Sequence, residues 1–271
     1  MLLKHIFLNK IAHSSYLLVG KNSCAVIDPQ RDIDQYINFA REMGVVITHI
    51  LQTHLHADFV SGHMDLARET GAKIYMPKSA GCKFDHIPLV ENDIIRIENI
   101  ELRVIETPGH TPEHICYVAT DTSRADSPIG AFVGDVLFVG DVGRPDLFPD
   151  QAIDLAGKLY DSLHQKLLQL PDYCEVYPAH GAGSLCGRSL GAKYVTTIGY
   201  ERRYNPALQL DRDAFIRSLT QDMPPAPDHF SRCSEINCKG PSVLADLPSI
   251  DGLRPQRSEE HTSELQSRQS I

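Results

Sequence analysis

The sequence predicts a layered α/β sandwich with histidines and aspartates gathered at its strand ends. Three observations predict it. Short apolar strands alternate with amphipathic helices as far as residue 75, and a strand-rich stretch follows. Four apolar runs of strand length lead into a histidine or an aspartate. The composition, 42% hydrophobic and 23% charged over 271 residues, is that of an ordinary globular chain able to bury one large core.

The elements follow in order. Residues 6–8, 16–19 and 24–27 are short strands of a meander, with Lys21-Asn22-Ser23 as a turn and Asp28-Pro29 as a stop. Residues 32–43 put Ile33, Tyr36, Ile37 and Ala40 on one helical face, with Gly44 as the C-terminal cap. Residues 45–52 are the next strand, residues 60–70 a helix closed by Gly71, and 73–75 a short strand. Strands follow near 85–88, 94–97 and 102–106. The turn Thr107-Pro108-Gly109-His110-Thr111-Pro112 separates these from strands 114–119 and 129–133. Residues 150–170 carry leucines at helical spacing until Pro171 stops them. Residues 174–177 are the last strand, a glycine-rich loop spans 181–191, and helical segments fall near 192–204 and 211–220.

Pro224-Pro225-Ala226-Pro227 opens a tail, which places one domain at 1–232 and a linker, or the start of a truncated C-terminal region, at 233–256. Residues 257–271 read as the translation of a sequencing-library adapter and are set aside from the fold.

The formal charge of −9 argues against a nucleic-acid surface, which would show a basic face. No apolar run reaches the roughly 18 residues of a membrane span, and the N-terminus lacks the apolar core of a signal peptide. Seven cysteines, odd in number and without a C-x-x-C pair, read as reduced thiols in a cytoplasmic protein.

Four motifs carry the chemistry: His54-x-His56-x-Asp58, Gly109-His110-Thr111, Gly134-Asp135 and Pro178-Ala179-His180. Rigid strand ends can converge such side chains on one point. Imidazole with carboxylate is a ligand set for zinc or iron. Singly, any of these histidines reads equally well as filler; the ordered combination reads as a metal site. His63 and His114 read as bystanders.

The ordered motifs resemble the metallo-β-lactamase superfamily, whose fold is a four-layer αββα sandwich, over about residues 5–230. In that family the opening motif continues into a histidine that helps bind a second metal. Here the position is Phe59, which counts against a two-metal centre. Within the superfamily the stretches 54–63, 140–146 and 178–187 resemble persulfide dioxygenases, in the branch often fused to rhodanese domains.

The resemblance implies one iron(II) per chain on His54, His110 and Asp135, with His56 as a fourth candidate ligand and zinc as the alternative metal. The implied reaction is R–S–SH + O2 + H2O → R–SH + sulfite, on a glutathione or coenzyme A type persulfide. Asp58 and His180 are the candidates for proton handling, and Cys186 for a thiol that relays the persulfide. Arg144, Arg188, Tyr177 and Cys186 are the candidate substrate contacts; Tyr177 reads more readily as packing, Arg188 as part of a solvated helix face, and Cys186 alternatively as a small buried residue. Arg144 reads equally as an ion-pair partner of Asp141 or Asp146. A thioester hydrolase of the glyoxalase II kind is the alternative function. A rhodanese partner and a homodimer are open options.

Overall fold

Two six-stranded sheets face one another in the computed structural model, which describes residues 1–188, 190–221 and 226–247. The first sheet holds β1 (Leu2–Leu8), β2 (His13–Val19), β3 (Ser23–Ile27), β4 (Val46–Leu51), β5 (Lys73–Pro77) and β6 (Ile87–Leu89), side by side in chain order. β1 to β3 are antiparallel, and β3 to β6 run parallel through helical crossovers. The second sheet is built from β7 (Ile94–Ile97), β8 (Ile100–Glu106), β9 (Ile115–Asp121), β10 (Gly130–Gly134), β13 (Glu175–Pro178) and β14 (Thr196–Thr197). Its order is β14-β13-β10-β9-β8-β7. A small hairpin, β11 (Leu137–Phe138) with β12 (Asp141–Val142), stands apart from both.

The helices are α1 (Asp34–Met43), α2 (His63–Thr70), α3 (Ala152–Gln165), α4 (Ile198–Tyr204), α5 (Arg212–Thr220) and α6 (Phe230–Lys239). Side-chain alternation makes the layers. In β2, Tyr16 and Leu18 face the other sheet, while Leu17 and Val19 face the cluster that holds Tyr36 of α1 and Leu66 of α2. In β10, Phe132 faces the first sheet, while Ala131 and Val133 meet Leu159 of α3 and Phe215 of α5. Three apolar slabs thus separate four layers, and the chain is an αββα sandwich. Strands covered on both faces read as continuous apolar runs, which is why their alternation is faint in the sequence.

Several boundaries differ from the sequence reading. α2 starts at His63 rather than at residue 60, because the preceding loop is held by the residues around the metal motif. α3 ends at Gln165, and residues Leu167–Gln169 tighten into a 3-10 turn before Pro171. α4 starts at Ile198, capped by the Thr197 side chain, which accepts from the Tyr200 N–H.

The largest difference is at the end. The first compact unit runs through Pro241, not 232, and α6 takes up the start of the stretch read as linker. α6 has a polar sequence and buries only two residues a full two turns apart, Phe230 and Asn237. That spacing is too sparse to register as an amphipathic pattern. Of the second unit, residues 242–247 are described, with a 3-10 turn at Leu244–Asp246. The adapter-like residues 257–271 lie outside the described residues.

Candidate metal centre

All four motifs open at one edge of the paired sheets. His54 lies three residues past β4, His110 in the turn joining β8 to β9, Asp135 directly after β10, and His180 two residues past β13. Backbone hydrogen bonds lace that edge together. The Ile115 N–H donates to the Thr53 carbonyl at 2.9 Å, Ala179 N–H to Gly134 O at 2.9 Å, and Ser14 N–H to Ala179 O at 2.7 Å. The Tyr16 and Tyr117 hydroxyls reach across to the Pro178 and Gln52 carbonyls.

His54, His110 and Asp135 are buried, and their ligand atoms fall within 4.8 Å of one another. The Asp135 Oδ2 lies 3.8 Å from His54 Nε2 and 3.4 Å from His110 Nε2. Hydrogen bonds fix both rings. Thr53 Oγ1 donates to Asp28 Oδ2 at 2.8 Å, so it accepts from His54 Nδ1–H at 2.9 Å. The Arg144 carbonyl accepts from His110 Nδ1–H at 2.9 Å. Each Nε2 is left as a lone pair facing the carboxylate, the tautomer a metal requires.

Charge agrees with that assignment. Burial holds His54 and His110 below the usual imidazole range, which keeps both rings neutral. Burial opposes ionisation of Asp135 as well, but His180, His110 and His54 outweigh it and hold the carboxyl well below the usual range. The Asp135 Oδ2 is buried with no hydrogen-bond partner. A buried anionic oxygen facing two neutral imidazoles is costly as it stands and fits a divalent cation between them.

A second group lies alongside: Asp58, His180 and Cys186 also come within 4.8 Å. His180 is held by two carboxylates, donating from Nδ1 to Asp135 Oδ1 at 2.7 Å and from Nε2 to Asp58 Oδ2 at 2.9 Å. Burial disfavours its charge, yet the Asp135 and Asp58 carboxylates raise it well above the usual range. Cys186 is buried with Ala57, Phe138 and Phe230. Burial pushes its thiol up to about 12.

His56 stands outside the group of three. Its ring is 4.3 Å from that of His54, and its Nε2 lies 3.1 Å from Asp28 Oδ1 without hydrogen-bond alignment. His114 is engaged elsewhere: it accepts the Asp135 N–H at 3.1 Å and donates to Thr107 Oγ1 at 2.9 Å. His63 opens α2, buried against Phe84.

Two of the expected substrate contacts do not reach the centre. Tyr177 is stacked on Phe132 at 4.9 Å between the sheets, and its hydroxyl donates to Glu175. Val176, one residue earlier, faces the helices instead, and sequence alone does not fix which of the two points where. Arg144 is buried, with its guanidinium on the Asp146 carboxylate at 2.6 and 2.7 Å and on the Leu185 carbonyl at 3.2 Å. The ion pair with Asp146 is thus present. Arg188 is exposed and donates to the Ser218 carbonyl.

Three residues absent from the sequence reading belong to the centre. Asp28 accepts the Thr53 N–H and hydroxyl, both at 2.8 Å, and so orients His54. The signal is an Asp directly after a strand that neighbours the motif strand, where the sequence reads only as a strand stop. His13 packs its ring on Phe59 at 4.4 Å and pairs in a bridge with His180. Asn237 of α6 donates to the His56 and Phe59 carbonyls and accepts the Ser61 N–H, tying the motif loop down. No local pattern marks that role.

This fold and this centre define a metal-binding αββα sandwich, and comparison with known proteins gives the family. Residues 8–180 match the family model of the metallo-β-lactamase superfamily. The chain belongs to that superfamily and is an enzyme of it. Mouse "Persulfide dioxygenase ETHE1, mitochondrial" is 30% identical over 234 residues, covering 85% of each chain. A hydroxyacylglutathione hydrolase of Rhodospirillum rubrum is 38% identical over a shorter span, 58% of this chain and 57% of that one. Among solved structures, a metallo-β-lactamase from Staphylococcus aureus superposes with TM-score 0.85 at 37% identity, over 94% of this chain and 76% of the other. ETHE1 from Myxococcus xanthus gives 0.76 at 27%, over 88% and 98%.

Proposed function

We propose that this enzyme is an iron(II)-dependent persulfide dioxygenase, converting a low-molecular-weight thiol persulfide and O2 to sulfite and the free thiol. The observation that carries the reading is the converging set His54, His110 and Asp135, two neutral imidazoles and one carboxylate, with Phe59 in place of a further imidazole. That donor set suits non-haem iron and leaves positions open. The similarity to persulfide dioxygenases over 85% of the chain supports it.

In this reading His54, His110 and Asp135 would hold the metal, which would supply the redox chemistry that joins dioxygen to a persulfide sulfur. Asp28, through Thr53, and the Arg144 carbonyl keep the two imidazoles turned toward it. The His180–Asp58 pair handles protons, since His180 Nε2–H is already shared with Asp58 Oδ2 at 2.9 Å. Cys186, Ala57, Phe138 and Phe230 form an apolar wall beside that pair, which suits a sulfur atom and excludes water. Arg188 is the expected contact left at the surface for an anionic glutathione or coenzyme A carrier. All seven cysteines are unpaired, which supports a reducing cytoplasm as its compartment. Among the described residues no helix is long and apolar enough to cross a membrane.

A zinc-dependent thioester hydrolase is the second reading, favoured by the 38% identity to the hydroxyacylglutathione hydrolase. One experiment separates them. Protein purified without oxygen is assayed for metal content, for oxygen uptake with glutathione persulfide, and for thioester turnover. About one iron per chain with sulfite release, both lost in His110→Ala, is the expected result. Zinc with thioester turnover and no oxygen uptake would overturn the proposal.

A further inference from the structure

Cys82 and Cys238 are separated by most of the chain, yet the segments that carry them meet. Cys82 follows the 3-10 turn Lys78–Ala80, and Cys238 lies in the last turn of α6. The backbones meet directly: the Lys83 N–H donates to the Cys238 carbonyl at 2.9 Å. The Cys238 thiol lies 3.5 Å from the Ala80 carbonyl and 3.9 Å from that of Gly81. These contacts set the Cys238 thiol against the segment that leads into Cys82. Neither is closed off, since both residues are only half-buried. The remaining five thiols show no such pairing: Cys24, Cys116, Cys174 and Cys186 are buried and Cys233 is half-buried.

We propose that Cys82 and Cys238 form a redox modification site that takes a low-molecular-weight sulfur oxidant, R–S–S–X with X an alkyl group or hydrogen, and closes to a disulfide. The step balances as two exchanges. The Cys238 thiolate attacks one sulfur of R–S–S–X, the S–S bond breaks, and the departing thiolate takes up the proton that Cys238 lost. The Cys82 sulfur then attacks Cys238 Sγ, releasing the second thiol. The protein pair loses two electrons and two protons, and R–S–S–X is reduced to R–SH and HS–X. Burial and the neighbouring sulfur push the Cys82 thiol up to about 12, which disfavours it as the first nucleophile and leaves the opening attack to Cys238.

The position gives the disulfide a consequence. Asn237, beside Cys238, accepts the Ser61 N–H at 2.9 Å and donates to the His56 and Phe59 carbonyls at 2.8 and 2.9 Å. A bond from Cys82 to Cys238 staples α6 to the end of the first sheet and fixes Asn237 on the metal-motif loop. This inference does not rest on the dioxygenase reading, because the pair reacts with the oxidant directly and not through the metal centre.

The test treats the full-length protein with glutathione disulfide in one arm and glutathione persulfide in another, quenches with acid, alkylates, and maps peptides without reduction. The expected result is one cross-linked peptide pair joining Cys82 to Cys238 and a loss of two alkylatable thiols out of seven. Release of glutathione alone, or of glutathione with hydrogen sulfide, tells which form of R–S–S–X was used. In Cys82→Ser the adduct is expected to stop at Cys238 as a mixed disulfide, and in Cys238→Ser neither cross-link nor adduct is expected at Cys82. Amide exchange at Ser61 is expected to slow on oxidation of the parent protein and to stay unchanged in Cys82→Ser. Separate adducts on the two cysteines with no cross-link would overturn the site. A cross-link that leaves Ser61 exchange unaltered would overturn the coupling to the motif loop.

Discussion

Phe59 stands where the family's opening motif carries a histidine, and its surroundings show what that substitution does. Its ring packs on His13 at 4.4 Å and on His56 at 4.6 Å, so an apolar face lies beside Asp58 and His180. Phe59→His would add an imidazole next to a carboxylate and a histidine that already converge. The expected outcome is metal content rising from about one toward two per chain in zinc, with a stability loss of about 1–2 kcal/mol from the lost ring packing. Metal analysis and urea denaturation of the variant check both, and an unchanged stoichiometry would remove Phe59 as the cause of a one-metal centre. Cys186 carries a second expectation. Its thiol is buried and pushed up to about 12, so almost none is thiolate at neutral pH. It is therefore expected to resist alkylation in the native protein and to react once mild denaturant opens the Phe138–Phe230 cluster; rapid native labelling would count against its description as a packed neutral thiol.

The hairpin of β11 and β12 shows how an element sets a ligand. It leaves Asp135, turns at Gly140, and returns so closely that a Cβ on Gly143 would stand 1.8 Å from the Asp135 carbonyl oxygen. Gly143→Ala must push the hairpin away from the carboxylate it supports. A loss of metal affinity of about 10–100-fold is expected, measured by competition with a chelator. Gly140→Ala serves as the control: its φ of +77° imposes strain of about 1–2 kcal/mol, but nothing lies within 4 Å of the added methyl. Equal affinity losses in the two variants would show that the close approach is not what positions Asp135. The same element marks the limit of sequence reading. His54, His110 and Asp135 were legible because each ends or follows a recognisable apolar run. Gly143 and Asn237 were not, because their roles are contacts with backbone far away in sequence. α6 was unreadable for a related reason: its stabilisation comes from one aromatic ring and one amide rather than an apolar stripe. Tyr177 takes the packing side of its two readings, and sequence leaves that choice open because a period-two strand has two equivalent faces until the opposing sheet is known.

At the scale of the whole molecule, the edge that builds the metal centre also stores an acid sensitivity. His13, His63 and His114 are buried, and burial lowers each to about 3. In the unfolded chain each returns to the ordinary histidine value near 6.5. Between those values the unfolded state binds protons that the folded state refuses, so stability rises with pH and falls as the solution is acidified. Each histidine contributes a slope of up to about 1.4 kcal/mol per pH unit within that window. His54 and His110 shift in the same direction and add to it. His180 opposes it: its folded value is raised, so its contribution is fully present below the unfolded value and is lost only as pH rises through the folded one. The majority decides the sign. The urea midpoint of the metal-free protein is expected to fall steeply from about pH 7 to about pH 5, before the carboxylates begin to titrate. Replacing His63, which lies apart from the metal ligands and has both ring nitrogens unpartnered, with Leu is expected to flatten that fall by about one proton's worth of slope. A midpoint that holds constant across this range would mean that the buried imidazoles are not carried neutral into the fold.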